Sequence, residues 1–399
     1  MVFKTLLNLG LVVIPFVVIA GADTRLPKAI VALGFATVLS LVALYKGHFK
    51  PFQNKWALIF IGYLFINVLL CPKPEIVFFN MNIGSFWVWE SLVRILIYFS
   101  VMVAIASVDF TRLDINKMFN CIVWTGVLIS LYCFLQALGI DQFFSRTNFT
   151  DSVNATQGHV GGTLGHPVVV SSYLAMITPL AIYLKKYWKA GILITAILLT
   201  QSQVALGALI ISLAFLFASK TRLRAIIVGG IGLLISVGII TSYPISQKTR
   251  DMVEDNGKFL QWGRITKDVL YEPTKKDGMK GVPLTGYGIG SFYNVYHLKY
   301  NTSFYQAHNE YLEILWNCGI AGLGLFLCAI WTTIRIGWGK SRYRRVLLAS
   351  FICSCVCAGG LFVWQLEPHA LYTLMIVGLI HNIGGKDEKI VSNCDSRTV

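Results

Sequence analysis

The stretch Ala307-His-Asn-Glu-Tyr-Leu-Glu-Ile-Leu-Trp-Asn-Cys-Gly-Ile-Ala-Gly-Leu-Gly-Leu-Phe326 starts with polar side chains and then becomes an apolar run that continues to Ile334. At 1.5 Å per residue, a helix over 310–334 is about 37 Å long, enough to cross the ~30 Å hydrocarbon core of a bilayer. The stretch therefore predicts a membrane-spanning helix with polar groups at one end.

Similar apolar runs recur along nearly the whole chain. Of its 399 residues 55% are apolar and 13% are charged, and the mean hydropathy is +0.65, which is too apolar for a water-soluble domain. We therefore predict an all-α polytopic membrane protein, with 1–399 as a single membrane domain of about twelve transmembrane helices. The predicted spans are 5–21, 29–45, 56–70, 90–107, 119–138, 168–184, 189–201, 203–219, 223–241, 310–334, 346–364 and 370–383.

The seventh and eighth predicted spans could instead form one long helix. The polar residues Gln201, Ser202 and Gln203 favour a turn between two shorter helices. The distribution of Lys and Arg also favours two helices, because a single helix would place Lys185 and Lys220 on opposite sides of the membrane.

The basic residues predict the orientation in the membrane. The net charge is +15, but the Lys and Arg residues lie in short loops and form no continuous basic face, so a nucleic-acid partner is not expected. By the positive-inside rule the loops richest in Lys and Arg are cytoplasmic, and both termini are then cytoplasmic too. The loops 71–89, 139–167 and 242–309 are external, and 242–309 is the largest of them.

The cysteines do not indicate a metal or redox site. Most of the nine lie inside apolar segments, with no Cys-x-x-Cys pair and no His at zinc-finger spacing, so packing is the simplest explanation for them. We predict no metal and no cofactor.

Polar residues near the outer membrane surface are the candidates for a functional site. Because polar groups in a membrane helix usually face a cavity or the bundle interior, His308 is either functional or an interfacial residue that bonds to a loop. His166 precedes a helix start at Pro167, where free amide groups can bind an anion. Arg94 either lines a polar cavity or extends towards the outer surface.

Three motifs resemble the O-antigen ligase and O-antigen polymerase superfamily of bacterial membrane glycosyltransferases. They are Gly162-Thr-Leu-Gly-His-Pro167 before a helix, Gly263-Arg264 ahead of Gly286-Tyr-Gly-Ile-Gly-Ser-Phe292, and His308-Asn309 followed by Gly319-Ile-Ala-Gly-Leu323. The resemblance covers most of the chain from the fifth predicted span to the end.

This resemblance implies a GT-C type bundle in the bacterial inner membrane, with an active site that faces the periplasm or exterior. Family members transfer a glycan from undecaprenyl diphosphate to a hydroxyl on lipid A-core, another glycan or a protein, without a metal. By correspondence, Arg264 binds the diphosphate, and His308 is the base that activates the acceptor hydroxyl or a residue that positions it. The remaining substrate-binding residues are predicted to be Asn309, His166, Arg94, Lys267, Gln203, Gly288 and Gly290.

The sequence departs from the family pattern at two positions. Ser202-Gln203 stands where many members have Ser-Arg, and His166 stands where Asn is common. The diphosphate is then held by other cations, for which Arg94 and Lys267 are candidates, or the activity is altered. Two alternatives stay open, namely a transporter or flippase of a lipid-linked glycan and an inactive family member.

Overall fold

The computed structural model describes residues 2–17, 25–70, 77–78, 81–82, 84–140, 160–217, 258–270, 284–292, 296, 306–339 and 341–384. Within these residues the chain is almost entirely helical. The α-helices are α1 (Val2–Val13), α2 (Arg25–Tyr45), α3 (Lys55–Leu70), α4 (Gly84–Ser107), α5 (Arg112–Ala137), α6 (Pro167–Tyr183), α7 (Tyr187–Leu199), α8 (Gln203–Phe217), α9 (Lys258–Leu270), α10 (Glu310–Gly337), α11 (Arg342–Ala358) and α12 (Glu367–Gly384).

Short elements complete the described part of the chain. Single 3-10 turns are formed by Ile14–Phe16, Gly162–Leu164 and Val363–Gln365. Two short strands, β1 (Val77–Phe78) and β2 (Met81–Asn82), pair antiparallel in the predicted external loop that precedes α4.

Three of the described helices are long and apolar enough to cross a membrane, over Pro27–Tyr45, Arg112–Ala137 and Glu310–Gly337. Large apolar side chains on these helices face outward, with Leu44 67% exposed, Leu128 51% and Trp331 61%. Such surfaces suit lipid better than water. The structure thus agrees with a helical membrane protein, whereas twelve spans and a GT-C type bundle stay predictions; the predicted span 223–241 lies outside the described residues.

The predicted break between the seventh and eighth spans is confirmed. Helix α7 ends at Leu199 and α8 begins at Gln203. Gln201 between them has a φ of 54°, a left-handed conformation that a continuous helix cannot contain.

Polar contacts join segments that the charge distribution predicts to be cytoplasmic. The Lys4 ammonium at the start of α1 lies 2.6 Å from the Asp114 carboxylate at the start of α5. Arg344 Nη2 of α11 donates to the Ile383 carbonyl near the end of α12, over 3.1 Å. We call this end of the bundle the inner end, and the opposite end, where α4, α6, α8, α10 and α12 begin, the outer end.

Helix α6 lies at the centre of the bundle, and most of its side chains are buried. Buried hydrogen bonds join α6 to α12. The Tyr372 hydroxyl donates to the Met176 carbonyl over 3.0 Å, and His369 Nε2 lies 2.9 Å from Ser172 Oγ. These bonds satisfy polar groups that would otherwise be costly to bury, and they fix the start of α12 at the outer end.

Candidate functional site

Helix α10 contains a break near its outer end. Gly319 there has φ 66° and ψ −169°, which interrupts the helical hydrogen bonds and leaves carbonyls without helical donors. Residues 284–288 supply the missing partners. The Tyr287 amide donates to the Trp316 carbonyl over 2.8 Å, and the Gly288 amide to the Asn317 carbonyl over 2.9 Å. The predicted external loop is therefore attached directly to α10.

Glycine is required where this loop meets the helix. A β-carbon at Gly319 would lie 2.4 Å from the Leu284 carbonyl oxygen, and one at Gly286 would lie 2.5 Å from the Gly319 nitrogen. Gly286 also has a φ of 74°. Its position in the glycine-rich motif is therefore explained by backbone packing, while substrate contact by Gly288 and Gly290 stays a prediction.

Helix α3 fixes the same loop from the other side. The Asn67 side chain, which is 1% exposed, donates to the Thr285 carbonyl over 2.8 Å and accepts from the Ile289 amide over 2.9 Å. The Tyr63 hydroxyl donates to the Cys318 carbonyl at the break in α10, over 2.6 Å. Polar side chains of a predicted membrane helix thus hold the loop in place.

The contact between Gly286 and Gly319 predicts a large loss of stability for Gly319→Ala. The new methyl group would clash with backbone atoms in a left-handed conformation, so we expect a loss on the order of 3 kcal/mol. Gly324→Ala is the matched control, because a β-carbon at Gly324 on the same helix has no atom within 4 Å. Thermal unfolding of the purified variants in detergent measures both. Equal unfolding temperatures for the two would contradict the described packing.

Helix α9, which carries Arg264, is bonded to the turn that precedes His308. Its apolar side, including Ile265 and Val269, packs on a cluster of buried aromatic residues, namely Tyr287, Phe292, Tyr296 and Trp316. On the neighbouring side, Trp262 Nε1 donates to the Ala307 carbonyl over 2.8 Å. Gln261 Nε2 donates to the Gln306 carbonyl over 3.0 Å.

Arg264 is half-buried on α9 and lies close enough to Tyr296 to act on its phenol. Burial raises the pKa of Tyr296 above its ordinary value, and the Arg264 guanidinium opposes that rise. The Asp268 carboxyl, buried one turn further along α9, also raises the pKa of Tyr296. Arg264 and Asp268 therefore act on the same phenol from one helix.

His308 occupies a strained position at the outer end of α10. Its φ of 51° is left-handed, a conformation that costs a side-chain-bearing residue about 1–3 kcal/mol. Its ring packs edge-on against Phe362, with 5.1 Å between the ring centroids. Strain of this kind persists where the surrounding structure holds it, and functional sites are a common place for it.

Asn309 starts α10 and connects it to α11. Its Oδ1 accepts from the amides of Tyr311 and Leu312, over 3.1 and 3.2 Å, which caps the helix. Its Nδ2 donates to the Gly359 carbonyl over 2.9 Å. The structure gives Asn309 a structural role, and its predicted contact with substrate stays a prediction.

Two buried carboxylates lie in the first turn of α10. Glu310 Oε1 accepts from the Trp364 amide over 2.7 Å, and its Oε2 accepts from Gln365 Nε2 over 3.1 Å. Glu313 Oε2 accepts from the Ala307 amide over 3.1 Å, and Arg94 of α4 acts electrostatically on the same carboxylate. The sequence placed both carboxylates at this helix mouth, but it did not identify them as site residues.

The remaining predicted site residues occupy different positions. His166 caps α6, with its Nδ1 accepting from the Val168 amide over 3.3 Å. Gln203 is next to Val204, which packs against Gly360 in the loop that Asn309 contacts. Lys267 is exposed on α9. His308 and Asn309 lie at the outer end of α10, and Arg94 acts electrostatically on Glu313 in its first turn. Arg264 acts on Tyr296, whose ring packs against Trp316 of the same helix.

Within the described residues, no group of three or more His, Cys, Asp or Glu side chains could hold a metal ion. The chain matches no protein-family model and no curated protein. The resemblance to the ligase and polymerase superfamily thus depends on the sequence motifs alone, and the absence of a metal from the reaction stays a prediction.

Proposed function

We propose that this chain is a membrane glycosyltransferase that transfers a glycan from undecaprenyl diphosphate to a hydroxyl acceptor at the outer end of the bundle. The observation that carries the proposal is the pair of hydrogen bonds from α9 to Gln306 and Ala307. They connect the helix of a charged arginine to the turn of a strained histidine. A diphosphate ligand and a proton acceptor are the two groups that this reaction needs.

In the proposed reaction, the acceptor oxygen attacks the anomeric carbon of the carrier-linked sugar. The bond from that carbon to the diphosphate oxygen breaks, and its electron pair leaves with undecaprenyl diphosphate. The hydroxyl proton passes to the His308 imidazole, because a neutral imidazole can accept a proton near physiological pH. Arg264 binds the leaving diphosphate through two hydrogen bonds and stabilises the negative charge that develops there.

Arg94 is the best candidate for a second cation at this site. It is half-buried on α4 and acts electrostatically on Glu313, which bonds to the residue before His308. Arg94 would then take the part of the arginine that the Ser-Arg pair supplies in the family this chain resembles. Lys267 lies on the exposed side of α9. It would therefore reach the diphosphate from the solvent side of the site.

A transporter or flippase of a lipid-linked glycan is the second candidate. Glu310 and Glu313 are buried in a helix that can cross a membrane, and buried carboxylates in such helices often mark ion pathways. The two functions differ in chemistry, because transport leaves the sugar–diphosphate bond intact.

The proposal is tested with the purified protein in liposomes that contain an undecaprenyl diphosphate glycan. Three acceptors are supplied separately, namely a glycan, lipid A-core and an acceptor protein. A glycosylated product with any of them supports transfer and identifies the acceptor class. Absence of product with all three, from folded protein, would argue for transport or for an inactive protein.

We expect a chelator to leave the transfer rate unchanged. The proposed leaving group is already activated, and Arg264 supplies the positive charge that a metal ion would otherwise provide. The measurement is the initial rate of transfer with EDTA, compared with the rate in excess Mg²⁺. A loss of activity in EDTA that Mg²⁺ restores would show that the reaction uses a metal.

A further inference from the structure

Two backbone segments meet around the His308 ring, and each is held by a buried carboxylate. Glu313, which is 7% exposed, binds the amide of Ala307 directly before His308. Glu310, which is 4% exposed, binds the Trp364 amide, two residues after the Phe362 ring that packs on His308. One carboxylate thus holds the backbone of the histidine, and the other holds the wall beside its ring.

The conformation of His308 makes these bonds important. Its φ of 51° is rarely adopted by residues with a side chain, so the surroundings must hold the turn in place. A buried backbone amide is costly to leave without an acceptor, so the side-chain oxygen that accepts from it holds the backbone in place. Gln365 Nε2 adds a second bond to Glu310, over 3.1 Å, and secures the 3-10 turn after Phe362.

We propose that Glu310 and Glu313 are positioning residues. They fix the backbone and the neighbouring wall that orient the His308 imidazole, so that it can take the proton of the acceptor hydroxyl. This inference rests on the proposed glycosyl transfer. It assigns the two carboxylates no proton transfer of their own, since their described bonds are to the backbone and to Gln365.

A positioning role predicts that the shape of the side chain matters more than its charge. Glutamine keeps an oxygen that can accept from the same amide, whereas alanine removes it. We therefore expect Glu313→Gln to keep kcat within about threefold of wild type, and Glu310→Gln, which keeps the bond to the Trp364 amide and loses the one to Gln365, to keep it within about tenfold. Glu313→Ala and Glu310→Ala should lower kcat by about 100-fold with little change in KM, because a displacement near 1 Å has an effect of that size.

Asn382→Ala is the matched control for a purely structural effect. Asn382 is 6% exposed at the inner end of α12, and its Nδ2 donates to the carbonyls of Ile105, Ala106 and Val108. Its replacement should lower the unfolding temperature as much as Glu313→Ala does, yet leave kcat per folded molecule near wild type.

The experiment measures kcat, KM and unfolding temperature for the five variants, together with amide hydrogen exchange of peptides that cover 306–312 and 362–366. Support requires faster exchange and lower kcat in the alanine variants, with recovery of both in the glutamine variants. Wild-type kcat in the alanine variants would overturn the proposal. Glutamine variants as inactive as the alanine variants, with normal exchange, would also overturn it, because charge would then be the requirement.

The exchange measurement separates this inference from the proposed function. If the wild-type protein transfers no glycan, the glycosyltransferase proposal fails. The positioning of the His308 turn is then decided by exchange alone. Faster exchange confined to the alanine variants supports it, and unchanged exchange in all variants rejects it.

Discussion

Replacing His308 with alanine is expected to lower the transfer rate about 1,000-fold, because a positioned proton acceptor contributes ~10²- to 10⁴-fold to such reactions. The hydroxyl of the acceptor is a poor nucleophile while it keeps its proton. The loss should appear in kcat, with binding of the lipid-linked donor maintained. The measurement is single-turnover transfer in liposomes at saturating donor.

A second variant separates chemistry from folding at this position. Asparagine adopts left-handed conformations more readily than most residues, so His308→Asn should preserve the turn at φ 51° while lacking the base. His48→Ala, at the inner end of the bundle, is the control for loss of a histidine elsewhere. Wild-type turnover in either His308 variant would remove this residue from the mechanism.

Replacing Arg264 with lysine is expected to lower kcat/KM about 100-fold, although the charge is kept. A guanidinium binds a diphosphate through two parallel hydrogen bonds, whereas an ammonium is a point charge with different geometry. Removal of one such donor to a developing anion typically costs about 10²- to 10³-fold. The measurement is the dependence of the transfer rate on the concentration of undecaprenyl diphosphate glycan.

Arg335→Lys is the matched control for the Arg264→Lys substitution. Arg335 is exposed in the last turn of α10, at the inner end of the bundle, far along the helix from His308. The Arg335→Lys substitution should leave kcat/KM unchanged. Similar kinetics for Arg264→Lys and wild type would argue against contact between Arg264 and the diphosphate.

Local sequence patterns predicted the features that depend on neighbouring residues. The polar turn at Gln201-Ser-Gln203 was predicted because three polar residues interrupt an apolar run, and the structure confirms it. The polar mouth of α10 was predicted for the same reason. The number of spans and their orientation stay predictions, since three of the described helices meet the length and hydropathy of a span.

Features that depend on distant contacts could not be predicted. At the break in α10, Gly319 packs against the backbone of Leu284 and Gly286. The residues next to Gly319 in the sequence do not indicate that these distant residues are its partners. The bonds from Glu310 to Trp364 and Gln365 likewise cross from one helix to the turn after another. The sequence places these carboxylates at the mouth of α10, but only the fold shows which backbone amides they bind.

In the proposed reaction, the bond between the glycan and undecaprenyl diphosphate is broken at the outer end of the bundle. The most direct test is mass spectrometry of the carrier lipid after incubation of the wild-type protein in liposomes with donor and acceptor. Glycosyl transfer predicts one free undecaprenyl diphosphate for each acceptor that is glycosylated, and release that is about 1,000-fold slower with His308→Ala. A carrier that keeps its glycan while the glycan moves from one leaflet to the other would contradict the account.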